Sequence, residues 1–191
     1  MIFQNIIENI KTKSKIVDLA SINAGQSPPQ ISKYWKNGKI PFVNINDLTN
    51  NMYVLFSKNF INDLAYNDYR CKLTTNFSIL VGKVSPGKNK ISVIDNGFIV
   101  NGAIRILEPL DKNVYGQLFE SIRNKAYILS KIACGSVQQQ INSLQLSNLE
   151  IKFDLSMNEI FNIQLNYKKV LLKSLNVIQK IISSLIELNI M

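Results

Sequence analysis

From Ser156 to the last residue the chain contains neither glycine nor proline, and apolar residues recur throughout. Ser156 with Glu159 has the S-x-x-E form in which two side chains reciprocally satisfy the first turn of a helix, and nothing after it would break one. Ile160, Ile163, Tyr167, Leu171, Leu175, Ile178, Ile182 and Leu185 stand three or four residues apart, a nearly heptad stripe down one side. At about 1.5 Å per residue this helix extends about 50 Å, beyond the body of a compact domain in a chain of 191 residues. A helix folded back on its own domain covers only part of such a stripe. Ile163, Tyr167, Leu171, Leu175, Ile178, Ile182 and Leu185 are therefore expected to meet a second helix or a second chain. Val170, Leu172, Val177, Ile181 and Ile186 widen the apolar surface.

The preceding residues read differently. Ile2, Phe3, Ile6, Ile7 and Ile10 fit a short amphipathic helix. From Lys15 to Leu110, β-branched and aromatic runs such as Ile40–Ile45, Phe77–Val84, Ile91–Asp95 and Phe98–Leu107 alternate with turn residues, the mark of short strands. Asn96-Gly97 between two of these runs predicts a hairpin loop. Leu118, Phe119, Ile122, Ala126, Leu129, Ile132 and Ala133 follow a helical period ended by Gly135, and Ser136 with Gln139 predicts that another helix opens at once. The expected class is α+β: a strand-rich domain with flanking helices over residues 1–155 and one long coiled-coil-forming helix over 156–191.

Charge narrows the function. Lys and Arg number 22 against 13 Asp and Glu, a formal net charge of +9, which favours a polyanionic partner such as nucleic acid. Residues 70–105 hold Arg70, Lys72, Lys83, Lys88, Lys90 and Arg105 against Asp95 alone, and residues 11–39 hold six lysines against Asp18. Histidine is absent, which removes imidazole metal sites, Ser-His-Asp triads and the commonest general base. The two cysteines, Cys71 and Cys134, have no metal-ligand spacing. With no run approaching the roughly 18 apolar residues of a membrane span, the expected location is cytoplasmic.

Residues 82–89, Gly-Lys-Val-Ser-Pro-Gly-Lys-Asn, stop one residue short of a phosphate-binding P-loop. Asn89 stands where Ser or Thr should hold Mg²⁺, and Ile91–Ile94 alternates like a strand where a helix should begin. A lysine-rich loop between two strands, suited to a phosphate backbone, is the better reading. Trp35 lies between lysines but is expected in the core. The glutamines Gln138–Gln140 are compatible with either base contacts or a helix start.

The order of these pieces resembles the type I restriction-modification specificity subunits. The resemblance is carried by Gly25-Gln26-Ser27-Pro28-Pro29, by Tyr34-Trp35-Lys36-Asn37-Gly38-Lys39-Ile40-Pro41-Phe42-Val43 and by Asn46-Asp47-Leu48. Phe98-Ile99-Val100-Asn101 and the stretch from Gly135 to Ile141 before the long helix extend it. It implies a noncatalytic, sequence-specific DNA-binding subunit whose target recognition domain reads one half of a bipartite double-stranded target. Such a subunit docks methyltransferase (modification) subunits, to which restriction subunits can join. S-adenosylmethionine, ATP and Mg would be held by those partners and no cofactor by this chain.

Family subunits carry two recognition units in tandem and this chain holds one, so the resemblance implies a half-subunit pairing as a homodimer or with another half. The stretch before the long helix lacks the family's usual Pro. Within this frame Lys36, Lys83, Lys88 and Lys90 are the expected phosphate contacts, and Gln26, Ser27, Ser85 and Asn89 the candidate base readers. The alternative is a noncatalytic coiled-coil assembly module whose positive charge is incidental.

Overall fold

The computed structural model describes residues 13–133, 140–152 and 155–189, with backbone alone at 155–157 and 189. The chain runs through β1 (Ser14–Lys15), the single-turn α1 (Ile16–Leu19), β2 (Ala20–Ala24), α2 (Ser32–Trp35), β3 (Ile40–Val43), β4 (Tyr53–Val54), β5 (Asn59–Ile61) and α3 (Asp63–Asp68). It continues through β6 (Ser78–Gly82), β7 (Ile91–Ile94), β8 (Ile99–Val100), β9 (Ile104–Pro109), α4 (Tyr115–Asn124), α5 (Ala126–Ile132), α6 (Ser143–Ser147), β10 (Glu150–Ile151) and α7 (Leu155–Asn189). The strands form a mixed sheet β2-β9-β6-β7-β4, a smaller sheet β5-β3-β8 and the pair β1-β10. This is the expected α+β class with its long C-terminal helix.

The layers follow from the period-two alternation of strand side chains. Ile79 and Val81 of β6, Ile91 and Val93 of β7 and Leu107 of β9 face a core shared with Leu118, Phe119 and Ile122 of α4 and Leu129 of α5. The alternate positions Leu80, Ile94, Ile104 and Ile106 meet Val43 and Val100 of the smaller sheet. The far side of that sheet, Phe42 and Ile99, packs on Tyr34 of α2 and Ala65 of α3. Because the larger sheet is covered on both faces, β6 reads as an unbroken apolar run.

Asn96-Gly97 makes a turn, but not the expected hairpin. β7 pairs with β6 and with β4, whereas β8 leaves the sheet and pairs in parallel with β3. Ile99 and Val100 are both fully enclosed and feed different cores, which only a position between two layers allows. The hairpin lies instead between β6 and β7, closed by residues 83–90. The predicted helix over residues 115–134 is interrupted at Lys125 and becomes α4 and α5.

The predictions at Ile2–Ile10, Gly135 and Ser136–Gln139 lie outside the described residues. Beyond them Gln140 bridges Val84, and α6 opens only at Ser143. Its start is closed by Asn142, whose Oδ1 accepts from the Gln145 amide (2.8 Å) while Gln145 Oε1 accepts from the Asn142 amide (2.9 Å).

The last helix begins at Leu155, so Ser156 sits inside its first turn rather than before it, and it runs for 35 residues. Its first half docks on α4. The Gly116 amide donates to Asn162 Oδ1 (2.8 Å) and the Gln117 amide to Asn158 Oδ1 (3.4 Å), so two asparagines of α7 satisfy donors in the first turn of α4 that have no partner within their own helix. Gly116 permits this crossing, since a Cβ there would stand 2.5 Å from Asn162 Oδ1. Among the described residues no helix is long and apolar enough to cross a membrane.

Candidate nucleic-acid interface

Residues 83–90 are a loop with a defined shape. The Lys83 amide donates to the Ala103 carbonyl (2.7 Å), and the Ile141 amide donates to the Lys83 carbonyl (2.9 Å). Ser85 takes a positive φ of 44°, Pro86 is buried, and Lys88–Lys90 form one 3-10 turn leading straight into β7. No helix N-terminus faces the loop in the manner of a P-loop, as the strand pattern of residues 91–94 predicts. Ser85, Lys88 and Asn89 are exposed, whereas Lys83 and Lys90 are half-buried. The Lys90 ammonium donates to the Ile45 carbonyl (3.0 Å), which ties the loop to the start of the 45–47 turn.

The Gly25-Gln26-Ser27 stretch is stitched to three neighbours. The Gln26 amide donates to Val100 (2.7 Å), and its side-chain Nε2 donates to the carbonyls of Tyr69 (3.2 Å) and Arg70 (3.0 Å). Its Oε1 accepts from the Lys72 amide (3.1 Å). Both ends of the Gln26 carboxamide thus bind main chain, and the candidate base reader is a brace: buried backbone groups need partners, and a carboxamide supplies donor and acceptor together. Ser27 Oγ accepts from the Gly102 amide (3.0 Å). In the turn it supports, Asn101 Oδ1 accepts from Ala103 (2.8 Å) and Asn101 Nδ2 donates to Asn44 Oδ1 (3.3 Å).

The turn at residues 101–103 therefore brings Ser27 and Lys83 beside one another, and Gln26 draws Arg70 and Lys72 to the same edge. The two basic stretches of the sequence meet there. Lys36 belongs to a separate corner, where Asn62 Nδ2 donates to the carbonyls of Lys33 (2.7 Å) and Lys36 (3.2 Å). Trp35 packs edge-on against Phe42 with ring centroids 5.1 Å apart, and its Nε1 donates to Pro29 (2.7 Å), as expected of a core residue.

Asp95 is the functional residue that sequence reasoning passed over. Its carboxylate accepts from Tyr53 Oη (2.5 Å), from Lys173 Nζ (2.9 Å) and from Lys169 Nζ, so it clamps α7 to the edge of the larger sheet. Burial pushes its pKa upward, but the hydrogen bonds from Lys169, Tyr53 and Lys173 prevail and hold it below the usual carboxylate value. Burial, together with this carboxylate, pushes the Tyr53 phenol up. The available signal was that Asp95 is the lone acid in a basic stretch.

The apolar stripe of α7 faces away from this contact. Leu165 is buried and Lys169 and Leu172 are half-buried against the domain. At about 100° per residue, positions two before or after Leu165 lie on the opposite side. Ile163 (61% exposed) and Tyr167 (69%) are such positions, and Leu171, Leu175, Ile178, Ile182 and Leu185 are all exposed by nearly half or more. Beyond Asn176 every residue whose side chain is described is exposed. So long an uncovered apolar face marks an interaction surface in a water-soluble helix.

Residues 8–154 match the family model described as the type I restriction modification DNA specificity domain. Over 69 residues the chain is 36% identical to the specificity subunit of the type I restriction enzyme MjaIX of Methanocaldococcus jannaschii, a stretch covering 36% of this chain and 16% of that protein. The S subunit of a type I restriction-modification system from M. genitalium superposes with a TM-score of 0.59 at 19% identity, covering 84% of this chain and 40% of the other. The HsdS subunit from Thermoanaerobacter tengcongensis gives 0.55 at 19% identity, covering 87% and 39%. These structures share the fold, and the chain spans less than half the length of each of these relatives.

Proposed function

Because this chain belongs to the family of type I restriction-modification DNA specificity domains, we propose that it is a noncatalytic reader of duplex DNA. The observation that carries the reading is the loop at 83–90. It offers three lysines and no acid, and hydrogen bonds to Ala103, Ile141 and Ile45 hold its backbone and one of its ammonium groups in place. Lys88 is the exposed phosphate contact, Lys83 and Lys90 support it, and Lys36 contacts the backbone further along. Ser85 and Asn89, exposed on the same loop, are the candidate base readers, while Gln26 and Ser27 shape the edge on which they stand.

One recognition unit reads one half of a bipartite target. The exposed seam of α7 pairs with the same helix of a second copy, or of another half-subunit, in antiparallel fashion. The pair then holds two recognition domains apart and acts as a ruler between half-sites. Modification subunits dock on this frame and bring S-adenosylmethionine, while ATP and Mg belong to restriction subunits that join them.

The test is duplex binding measured across a salt series. Engagement of five to eight phosphates gives a slope of log affinity against log salt of about −5 to −7. Lys88→Ala is expected to weaken binding to all sequences alike, whereas a change at Asn89 alters preference at one base pair. Helix-paired dimers that show no salt-sensitive DNA binding would instead establish an assembly module. Co-expression with modification subunits, followed by mapping of methylated adenines, reads out target and symmetry together.

A further inference from the structure

The lysine loop is bracketed from behind by an arginine that is not one of its own residues. Arg123, in the last turn of α4, donates from Nη1 to the carbonyls of Lys88 (3.1 Å) and Ile91 (3.1 Å), one on each side of the 3-10 turn. Its guanidinium also lies 5.5 Å from the centre of the Phe119 ring, which is fully buried in the core. The Lys88 carbonyl is thereby shared between Arg123 and the Ile91 amide that closes the turn.

Lys83, Lys88 and Lys90 repel one another, and an arginine beneath them adds charge of the same sign. A loop so composed favours spreading apart, yet this one is held at the Ala103 and Ile141 contacts, at the Ile45 carbonyl and at the Arg123 bracket. Guanidinium is suited to the last role because its donors lie in a rigid plane and it stays charged when partly buried. Burial lowers the Arg123 pKa from its ordinary value of 12.5, and a guanidinium remains protonated under any neutral condition.

We propose that Arg123 is a positioning residue for phosphate binding: it fixes the backbone of Lys88–Lys90 before DNA arrives, without touching the DNA. The proposal rests on the reading of residues 83–90 as a phosphate contact. Ordering a loop at the moment of binding weakens affinity, and a loop already ordered avoids that loss. The number of phosphates engaged is a separate quantity, read from the salt slope. A positioning residue therefore changes affinity at every salt concentration and leaves the slope alone, whereas a contacting residue changes both.

The experiment is fluorescence anisotropy with a labelled mixed-sequence duplex over a sodium chloride series, using the full chain, Lys88→Ala, Arg123→Met and Arg123→Lys. Lys88→Ala is expected to reduce the magnitude of the slope by about 0.9. Arg123→Met is expected to bind roughly tenfold more weakly with an unchanged slope. Arg123→Lys, which keeps the charge but not the fork, is expected to fall between Arg123→Met and the unaltered chain. Amide hydrogen exchange of the free proteins provides the folding control: residues 88–91 exchange faster in Arg123→Met, while β6 and β9 remain protected.

A slope reduced as in Lys88→Ala makes Arg123 a phosphate contact and overturns the positioning role. Unchanged affinity with a loosened loop overturns it as well. If Arg123→Met loses protection throughout, Arg123→Lys decides by the same comparison of slope and affinity. Absence of a salt-dependent slope in the unaltered chain, or binding by Lys88→Ala equal to it, refutes the DNA-contact reading itself and the inference with it.

Discussion

Replacing Asp95 by Asn removes the single negative charge that joins α7 to the larger sheet. In the native chain Oδ1 accepts from Tyr53 and Lys169 and Oδ2 accepts from Lys173. The Asp95 side chain is 22% exposed, Lys169 is 28% exposed and Lys173 is 52% exposed. The half-buried Lys169 contact is a charge-assisted hydrogen bond of about 1.5–3 kcal/mol. Lys173, open to screening, contributes well under about 1 kcal/mol.

Asn keeps an oxygen for Tyr53 but leaves two ammonium groups facing each other without a counter-charge. A loss of about 3 kcal/mol is expected at neutral pH, which lowers the melting temperature by about 6–12 °C for a chain of this size. The folded-state pKa of Asp95 is depressed below 3.8, so its stabilisation is complete above that unfolded value. It disappears as pH falls through the lower folded value.

Circular dichroism melts of Asp95→Asn and the unaltered chain, from neutral pH into acid, should therefore diverge most at neutral pH and converge below pH 3.8. Amide exchange should quicken around Leu165–Lys173 and not in β6. Equal melting temperatures at neutral pH, or a difference that persists undiminished into acid, would refute the clamp.

Three other changes test separate parts of the structure. Gly25→Ala places a Cβ 2.2 Å from the Asn101 carbonyl and 2.4 Å from that of Val100; backbone cannot step aside, so urea denaturation should show a loss of about 2–3 kcal/mol, and unchanged stability would deny the close approach. Ile178→Glu changes the exposed seam far from the core, so sedimentation should find a monomer while the domain melts as before. A dimer that survives the change puts the seam elsewhere. Burial pushes the Cys71 thiol up and leaves it 5% exposed, so in a Cys134→Ser background a thiol reagent should react slowly with the folded chain and fully in denaturant; rapid labelling of the folded protein would contradict that burial.

The Asn96-Gly97 turn shows where local reading ends. Turn chemistry reports that the chain reverses there, and it does, but the strand after it pairs with β3 in another layer. Gln26 was legible as a polar side chain in a loop and nothing more, since the carbonyls of Tyr69 and Arg70 that claim it lie over forty residues away. Asn89 and Ser85 kept their candidacy because no distant backbone reaches them. Arg123 and Asp95 looked ordinary in the sequence, and each acquires its role from carbonyls, a phenol or ammonium groups that the fold carries to it.

Periodicity and the absence of helix breakers were enough to establish the long helix, the buried strands β6 and β7, and the loop at 83–90 as something other than a P-loop. Those properties depend on neighbours within a few residues, where spacing along the chain is spacing in space. The docked side of α7 was not legible in that way. Leu165 and Leu172 turn inward and Ile163 and Leu175 outward, although all four are apolar. Folding separated them because Asp95 and the asparagine contacts at Gly116 and Gln117 fix the rotation of the helix about its axis, and those partners meet it only when distant segments pack together.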